Sequence, residues 1–201
     1  MNYLAHALLA GDDAWLRLGG LLGDFVHGQP DPALPPRLID GIRLHRAIDS
    51  YTDSHAEVRA ARERLSPPYR RYAGILLDMW FDHCLARDFG RWSTQPLEDF
   101  SRDLRALLWR EDALLPPALQ RFRDYMEAHG LPARYAERSE IGLALHGIAQ
   151  RLRRENPLDT ALPVLIALEQ PLQRHFETFF PALRDYVRDW LGSHPGTPEF
   201  R

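Results

Sequence analysis

The chain has 201 residues, 45% of them hydrophobic, and a formal net charge of −3 with histidine neutral. That length and apolar fraction suit one domain with a sizeable core, and the absence of a basic excess argues against a nucleic-acid binder. All 25 basic residues are arginine, which excludes a Walker-type lysine, a Schiff base and a lysine general base, and one cysteine, Cys84, excludes an internal disulfide framework.

Helical periodicity runs through nearly the whole chain, while period-two alternation is absent, so the sequence predicts a single all-α helical bundle. Leu4, Leu8 and Leu9 form a first helix that breaks at Gly11. Asp12 or Asp13 can cap the next, in which Trp15, Leu18, Leu22 and Val26 repeat at helical spacing. Gly28 to Pro36 is a loop by composition, and a long helix is expected from about 36 to 65. Ser66 and two prolines then open a helix that runs to near Phe89. Further helices are expected over 97–110, 116–129, 133–154 and 158–191, the last kinked or split at Pro163 or Pro171. The domain covers 1–192, and 193–201, polar and rich in Gly and Pro, reads as a disordered tail. The opening MNYLAHALLAGDDAW lacks the basic n-region and cleavage pattern of a signal peptide, and runs such as LGGLLG are too short to span a bilayer. A cytoplasmic protein without membrane contact is expected.

Residues of metal-ligand type crowd the first 83 positions: His6, Asp24, His27, His45, Asp49, Asp53, His55, Asp78, Asp82 and His83. Asp24 in GGLLGDFVHG stands near a helix C-terminus, where the dipole disfavours a carboxylate, so local rules do not explain it. His45, Asp49 and Asp53 in GIRLHRAIDSYTDSH fall four apart along one helical stripe bordering the apolar face; like charges at that spacing repel unless a cation lies between them. His55 reads as a surface residue.

LLDMWFDHCL places Asp78 and Asp82 four apart inside an otherwise apolar helix. Burying unpaired carboxylates costs several kcal/mol. Arginine partners, shared protons or a divalent metal could offset that cost. His83 lies about 100° round the helix from Asp82 and is open to three roles: ligand, acid/base, or orienting neighbour. His6, on an apolar first helix, is either a satisfied core histidine or a further ligand. Several helices each giving an acid or imidazole to one interior point is how bundles build metal sites. The oxygen-rich donor mix favours Mn²⁺, with Mg²⁺ or Fe²⁺ as alternatives, over structural zinc. A non-catalytic helical domain with buried ion pairs would use the same residues without a metal.

MNYLAHALLA, GGLLGDFVHG, GIRLHRAIDSYTDSH and AGILLDMWFDHCLA, in this order, resemble the acyl carrier protein phosphodiesterases. The resemblance implies an HD-phosphohydrolase-like, metal-dependent enzyme. Its reaction would cleave the phosphodiester between 4′-phosphopantetheine and a serine of holo-acyl carrier protein, a step of lipid metabolism. Where an HD signature would read Leu-His-Asp this chain reads Leu22-Gly23-Asp24, so one ligand must be replaced, with His45, Asp78 and Asp82 as candidates. On this basis His6, Asp24, Asp78 and Asp82 are expected to hold the metal, and His45, Asp49 and His83 to serve the chemistry. A phosphohydrolase acting on a nucleotide or another small phosphodiester is the alternative.

Carrier proteins are small and acidic, so a basic docking face is expected. Residues 37–71 hold eight arginines against five acids, a local charge of +3. Arg43, Arg46, Arg59, Arg62, Arg70 and Arg71 are the docking candidates.

Overall fold

A computed structural model describes residues 2–194 of the chain. Among them are α1 (Tyr3–Leu9), α2 (Ala14–Leu22), α3 (Pro36–Ser54), α4 (Ala56–Glu63) and α5 (Ala73–Arg87). They are followed by α6 (Leu97–Arg110), α7 (Pro117–His129), α8 (Arg138–Arg151), α9 (Leu162–Ala167) and α10 (Glu169–Ser193). Short 3-10 turns join several of them, and no strand occurs among the described residues. Of the proposed tail, Ser193 ends α10 and His194 caps it; positions 195–201 lie outside the described residues. No described helix is long and apolar enough to cross a membrane.

The all-α reading holds, and several boundaries differ from expectation; the helix expected over 133–154, for one, is α8 from Arg138 to Arg151 after a 3-10 turn. The helix expected over 36–65 divides at His55, which takes an extended backbone and accepts the Glu57 amide on its Nδ1 at 3.2 Å. His55 is therefore the N-cap of α4 rather than a surface residue. Ser66, Pro67 and Pro68 do not open α5 directly: a 3-10 turn over Tyr69–Tyr72 intervenes, and α5 begins at Ala73. The last expected helix divides at Leu168, so that Pro163 and Pro171 each fall in a first turn, where no amide donor is needed. Pro181 is accommodated inside α10.

α5 is apolar on nearly every side, and its neighbours bury it accordingly. Trp80 and Phe81 are enclosed, with Phe81 packed on Phe176 and Phe179 of α10 at ring separations of 5.6 and 6.0 Å. α1 and α8 pack on other flanks.

The approach that builds the site is between α2 and α3. Their backbones touch at Gly19 and Gly41: a Cβ on Gly19 would lie 2.4 Å from the Leu38 carbonyl oxygen, and one on Gly41 2.6 Å from that of Leu16. Only glycine permits this contact. One turn further along each helix come Gly23 and His45.

Candidate active site

Asp13 caps α2 by accepting the amides of Trp15 and Leu16 at 2.9 and 3.0 Å. The helix ends at Leu22 and the chain tightens into a 3-10 turn, Gly23–Phe25, that carries Asp24 out to solvent beside α3. Gly23 has the same close-packing role as Gly19, toward a side chain: its Cβ position lies 2.2 Å from Cγ of His45, so the imidazole fills the space a residue at 23 would occupy.

His45 is buried, and its Nδ1 lies 2.7 Å from the Gly20 carbonyl oxygen, to which it donates. In the neutral ring this assigns the lone pair to Nε2. That atom meets Asp49 Oδ2 at 3.1 Å and Asp24 Oδ1 at 3.4 Å. The other oxygen of Asp49 lies 3.2 Å from Nε2 of His6, which is buried against α2 and stacked on His45 at 3.9 Å. Ligand atoms of His6, His45 and Asp49 thus lie within 4.8 Å of one another. Neither ring nitrogen of His6 has a well-aligned hydrogen bond.

The electrostatics follow from this geometry. Burial pushes His6 down to about 4, so it is neutral and one ring nitrogen has a lone pair to donate. For His45, burial opposes the charge, but Asp24 and Asp49 override it and push the imidazolium up to about 9. Burial also works against the charge on Asp24 and on Asp49, yet contact with His45, and for Asp49 with His6, holds both carboxyls below the usual range. A histidine raised in the folded state contributes stability that is complete below its unfolded value and is lost as pH climbs through the folded one. Metal-free protein is therefore expected to lose on the order of 2 kcal/mol between pH about 6.5 and about 9, allowing for solvent screening of the half-exposed carboxylates. Thermal denaturation in chelator across that window should show the decline, and His45→Gln should flatten it.

A cleft of about 260 Å³ opens beside the cluster. Asp24, Asp49, Asp53 and Asp78 line it together with Asn2, Thr52 and the apolar Ile75, Met79 and Ile148. Asp53 binds Arg62 at 2.5 Å. Asp78 faces the cleft from α5, and burial raises its carboxyl above the usual range.

Asp82 has a different task from the metal ligation expected of it. It is fully enclosed and caps α1, its Oδ2 and Oδ1 accepting the amides of Leu4 and Ala5 at 2.8 and 3.3 Å. Burial pushes its carboxyl up to about 7 against the pull of those amides. By fixing α1 it sets the position of His6, the residue after Ala5. Asp82→Ala is expected to cost about 1–2 kcal/mol in chemical denaturation and to loosen His6.

His83 also stands apart from the catalytic role expected of it. Its Nδ1 lies 2.8 Å from the Tyr135 carbonyl oxygen, and the charged groups acting on it are Arg87, Glu169 and Arg138 rather than members of the cluster. His27 is exposed on the loop after the 3-10 turn.

Of the docking arginines, Arg43 binds Asp40, Arg46 donates to the Val26 carbonyl and Arg62 is held by Asp53. Arg59, Arg70 and Arg71 are exposed and form no ion pair among the described residues.

The chain matches the family model described as acyl carrier protein phosphodiesterase over residues 1–183, a span that includes every residue of the cleft. It belongs to the acyl carrier protein phosphodiesterase family. Membership makes it a hydrolase of the phosphodiesterase class. It is 34% identical over 190 residues to the acyl carrier protein phosphodiesterase of Serratia proteamaculans, covering 94% of this chain and 98% of that one. With the Escherichia coli O6:H1 protein of the same name it shares 35% identity over 189 residues, covering 92% and 96%. The Yersinia enterocolitica protein of that name is 34% identical over 190 residues, covering 94% and 98%. No solved structure matches.

Within this acyl carrier protein phosphodiesterase chain, two contributors were absent from the sequence reading. The glycines of GGLLG create the room for α3 and His45. Arg151, Arg153 and Arg154, at and after the end of α8, are exposed and form no ion pair among the described residues. The RLRR run was the visible signal for the second.

Proposed function

We propose that the protein hydrolyses the phosphodiester joining 4′-phosphopantetheine to the serine of holo-acyl carrier protein, with a divalent metal, in the cytoplasm. The observation that carries the reading is the convergence of His6, His45 and Asp49 at the foot of a cleft lined by further carboxylates. The donor set fits a metal: His6 has buried nitrogens lacking aligned partners, His45 presents Nε2, and Asp49 reaches both rings. Asp24 is the fourth donor. Two imidazoles with carboxylates suit Mn²⁺, with Mg²⁺ or Fe²⁺ as substitutes. Such an ion, when bound, lowers the pKa of water and offsets phosphoryl charge. The His45 ring, in the space beside Gly23, stands in for the histidine of an HD signature.

The rest is the work of the chain's own groups. In the reaction a water oxygen bonds to phosphorus as the phosphorus–serine oxygen bond breaks, and the departing alkoxide takes up a proton. Asp78, which lines the cleft from α5, is a candidate donor beside His45 and His83. Arg62, tied to Asp53 on the cleft wall, offers a guanidinium to the non-bridging oxygens.

The proposed docking face keeps Arg70 and Arg71 of the expected set and extends it to the arginines at the end of α8. Tyr72 donates to the Glu155 carbonyl at 3.5 Å and Tyr69 to that of Thr160 at 3.4 Å, laying the 69–72 turn beside the segment after α8. Arg70, Arg71, Arg151, Arg153 and Arg154 thereby share an edge. Arg71 and Arg151 are each about one turn from a cleft-lining residue, Ile75 and Ile148. An acidic carrier protein seated there would present its serine to the cleft. Charge reversal at Arg70 with Arg153 should raise KM roughly tenfold at low salt, less at about 0.5 M salt, with kcat little changed. An unchanged KM, or a rise insensitive to salt, would count against this face. Turnover of holo-carrier protein against small phosphodiesters separates the proposed substrate from a nucleotide-type one.

A further inference from the structure

A second cavity, of about 650 Å³, adjoins the reaction cleft. The two are continuous: Asn2, Asp24, Met79 and Ile148 line both. Their characters differ. The cleft is walled by carboxylates, whereas the second cavity is walled by Phe25, Phe122, Tyr125 and Ala144 among other apolar groups. Its volume is that of a site for a ligand of pantetheine size or larger.

We infer that this cavity receives the distal, thiol-bearing end of the prosthetic arm together with an acyl chain thioesterified to it. The inference rests on the proposed phosphodiester substrate. With the phosphate at the His6–His45–Asp49 cluster, the arm leaves on the side away from the serine and must go somewhere. This cavity shares four wall residues with the cleft and so lies directly on the arm's path. The arm is uncharged beyond its phosphate, and an acyl chain is wholly apolar, so both suit aromatic walls and neither suits the acidic cleft. Arg121 and Arg151 stand exposed in the cavity's wall and form no ion pair among the described residues, so their stems can cover the occupant while their heads stay in water.

Gly147 supplies the test. It lines the cavity from within α8, and a Cβ added there meets nothing within 4 Å. Gly147→Leu therefore fills cavity space without a clash, at a helix position that leucine favours. The experiment measures calorimetric binding of S-acyl-pantetheines of increasing chain length, which lack the scissile diester, to the wild-type chain and to Gly147→Leu. Wild-type affinity is expected to rise roughly tenfold for every two methylenes until the cavity is full. Gly147→Leu should reach that plateau earlier and bind the longest chain at least about tenfold more weakly. Affinity independent of chain length, or equal in the two proteins, would overturn the inference. Turnover of unloaded holo-carrier protein by the wild type, run alongside, reports on the proposed reaction itself, so the two failures cannot be confused.

Discussion

Asp49→Ala is expected to lower kcat/KM for phosphodiester hydrolysis by on the order of 10³-fold while leaving the fold in place. Asp49 is the one carboxylate that reaches both imidazoles, at 3.2 Å to His6 and 3.1 Å to His45. Removing it takes away the one carboxylate that bridges the two stacked rings and leaves only Asp24, 3.4 Å from His45 and on the half-exposed 3-10 turn, to attract a cation. It is 42% exposed, so its loss opens no core cavity, and the melting temperature should move little. Asp49→Asn keeps the shape and loses the charge; it should be nearly as inactive if the carboxylate acts as a ligand. Metal content after dialysis, measured beside kcat/KM, is the check: both should fall together. Full activity in either variant would remove Asp49 from the site.

The second large effect comes from a single methyl group. Gly23→Ala puts a carbon 2.2 Å from Cγ of His45, well inside van der Waals contact. The ring has little freedom to yield, since Nδ1 is held by the Gly20 carbonyl at 2.7 Å and one face is stacked on His6 at 3.9 Å. Either the ring swings and abandons those contacts, or the 3-10 turn carrying Asp24 moves. The expected outcome is about 1–3 kcal/mol of destabilisation and roughly 10²-fold lower kcat/KM. Gly20→Ala is the control three residues away. Its added Cβ would come no closer than 3.4 Å to any group outside its own helix, an ordinary contact, so activity should fall far less. Equal losses in the two variants would mean that α2 tolerates no side chain here, and would weaken the specific claim about His45.

These two substitutions also mark where the sequence was legible and where it was not. The helical architecture was readable because apolar spacing is a local property. The break at His55 was not, because the 36–65 pattern runs on without interruption and the cap depends on which nitrogen of His55 meets the Glu57 amide. The crowding of histidines and aspartates in the first 83 residues pointed to the cleft, and His6, Asp24, His45, Asp49 and Asp78 all line it or meet at its foot. Asp82 has the same helical spacing as Asp78, yet its partners are amides 77 and 78 residues away. His83 is fixed by a carbonyl 52 residues away. No local pattern encodes such long-range contacts. The glycines that make room for His45 were passed over because a glycine's function here is the space it leaves for a neighbour, which a single sequence does not display. The α8 arginines were missed for a related reason: they lie far along the chain from the chemistry, and only the packing of α8, which brings Ile148 to the cleft, places them near it.

The central claim is that this cleft cleaves the link between carrier protein and prosthetic group. Intact-mass measurement of holo-acyl carrier protein, incubated with the enzyme and Mn²⁺, tests it most directly. The account predicts loss of the phosphopantetheine mass, stopped by chelator, restored by added metal and absent with Asp49→Ala. Holo-carrier protein that keeps its full mass under Mn²⁺, Mg²⁺ and Fe²⁺ alike would contradict it.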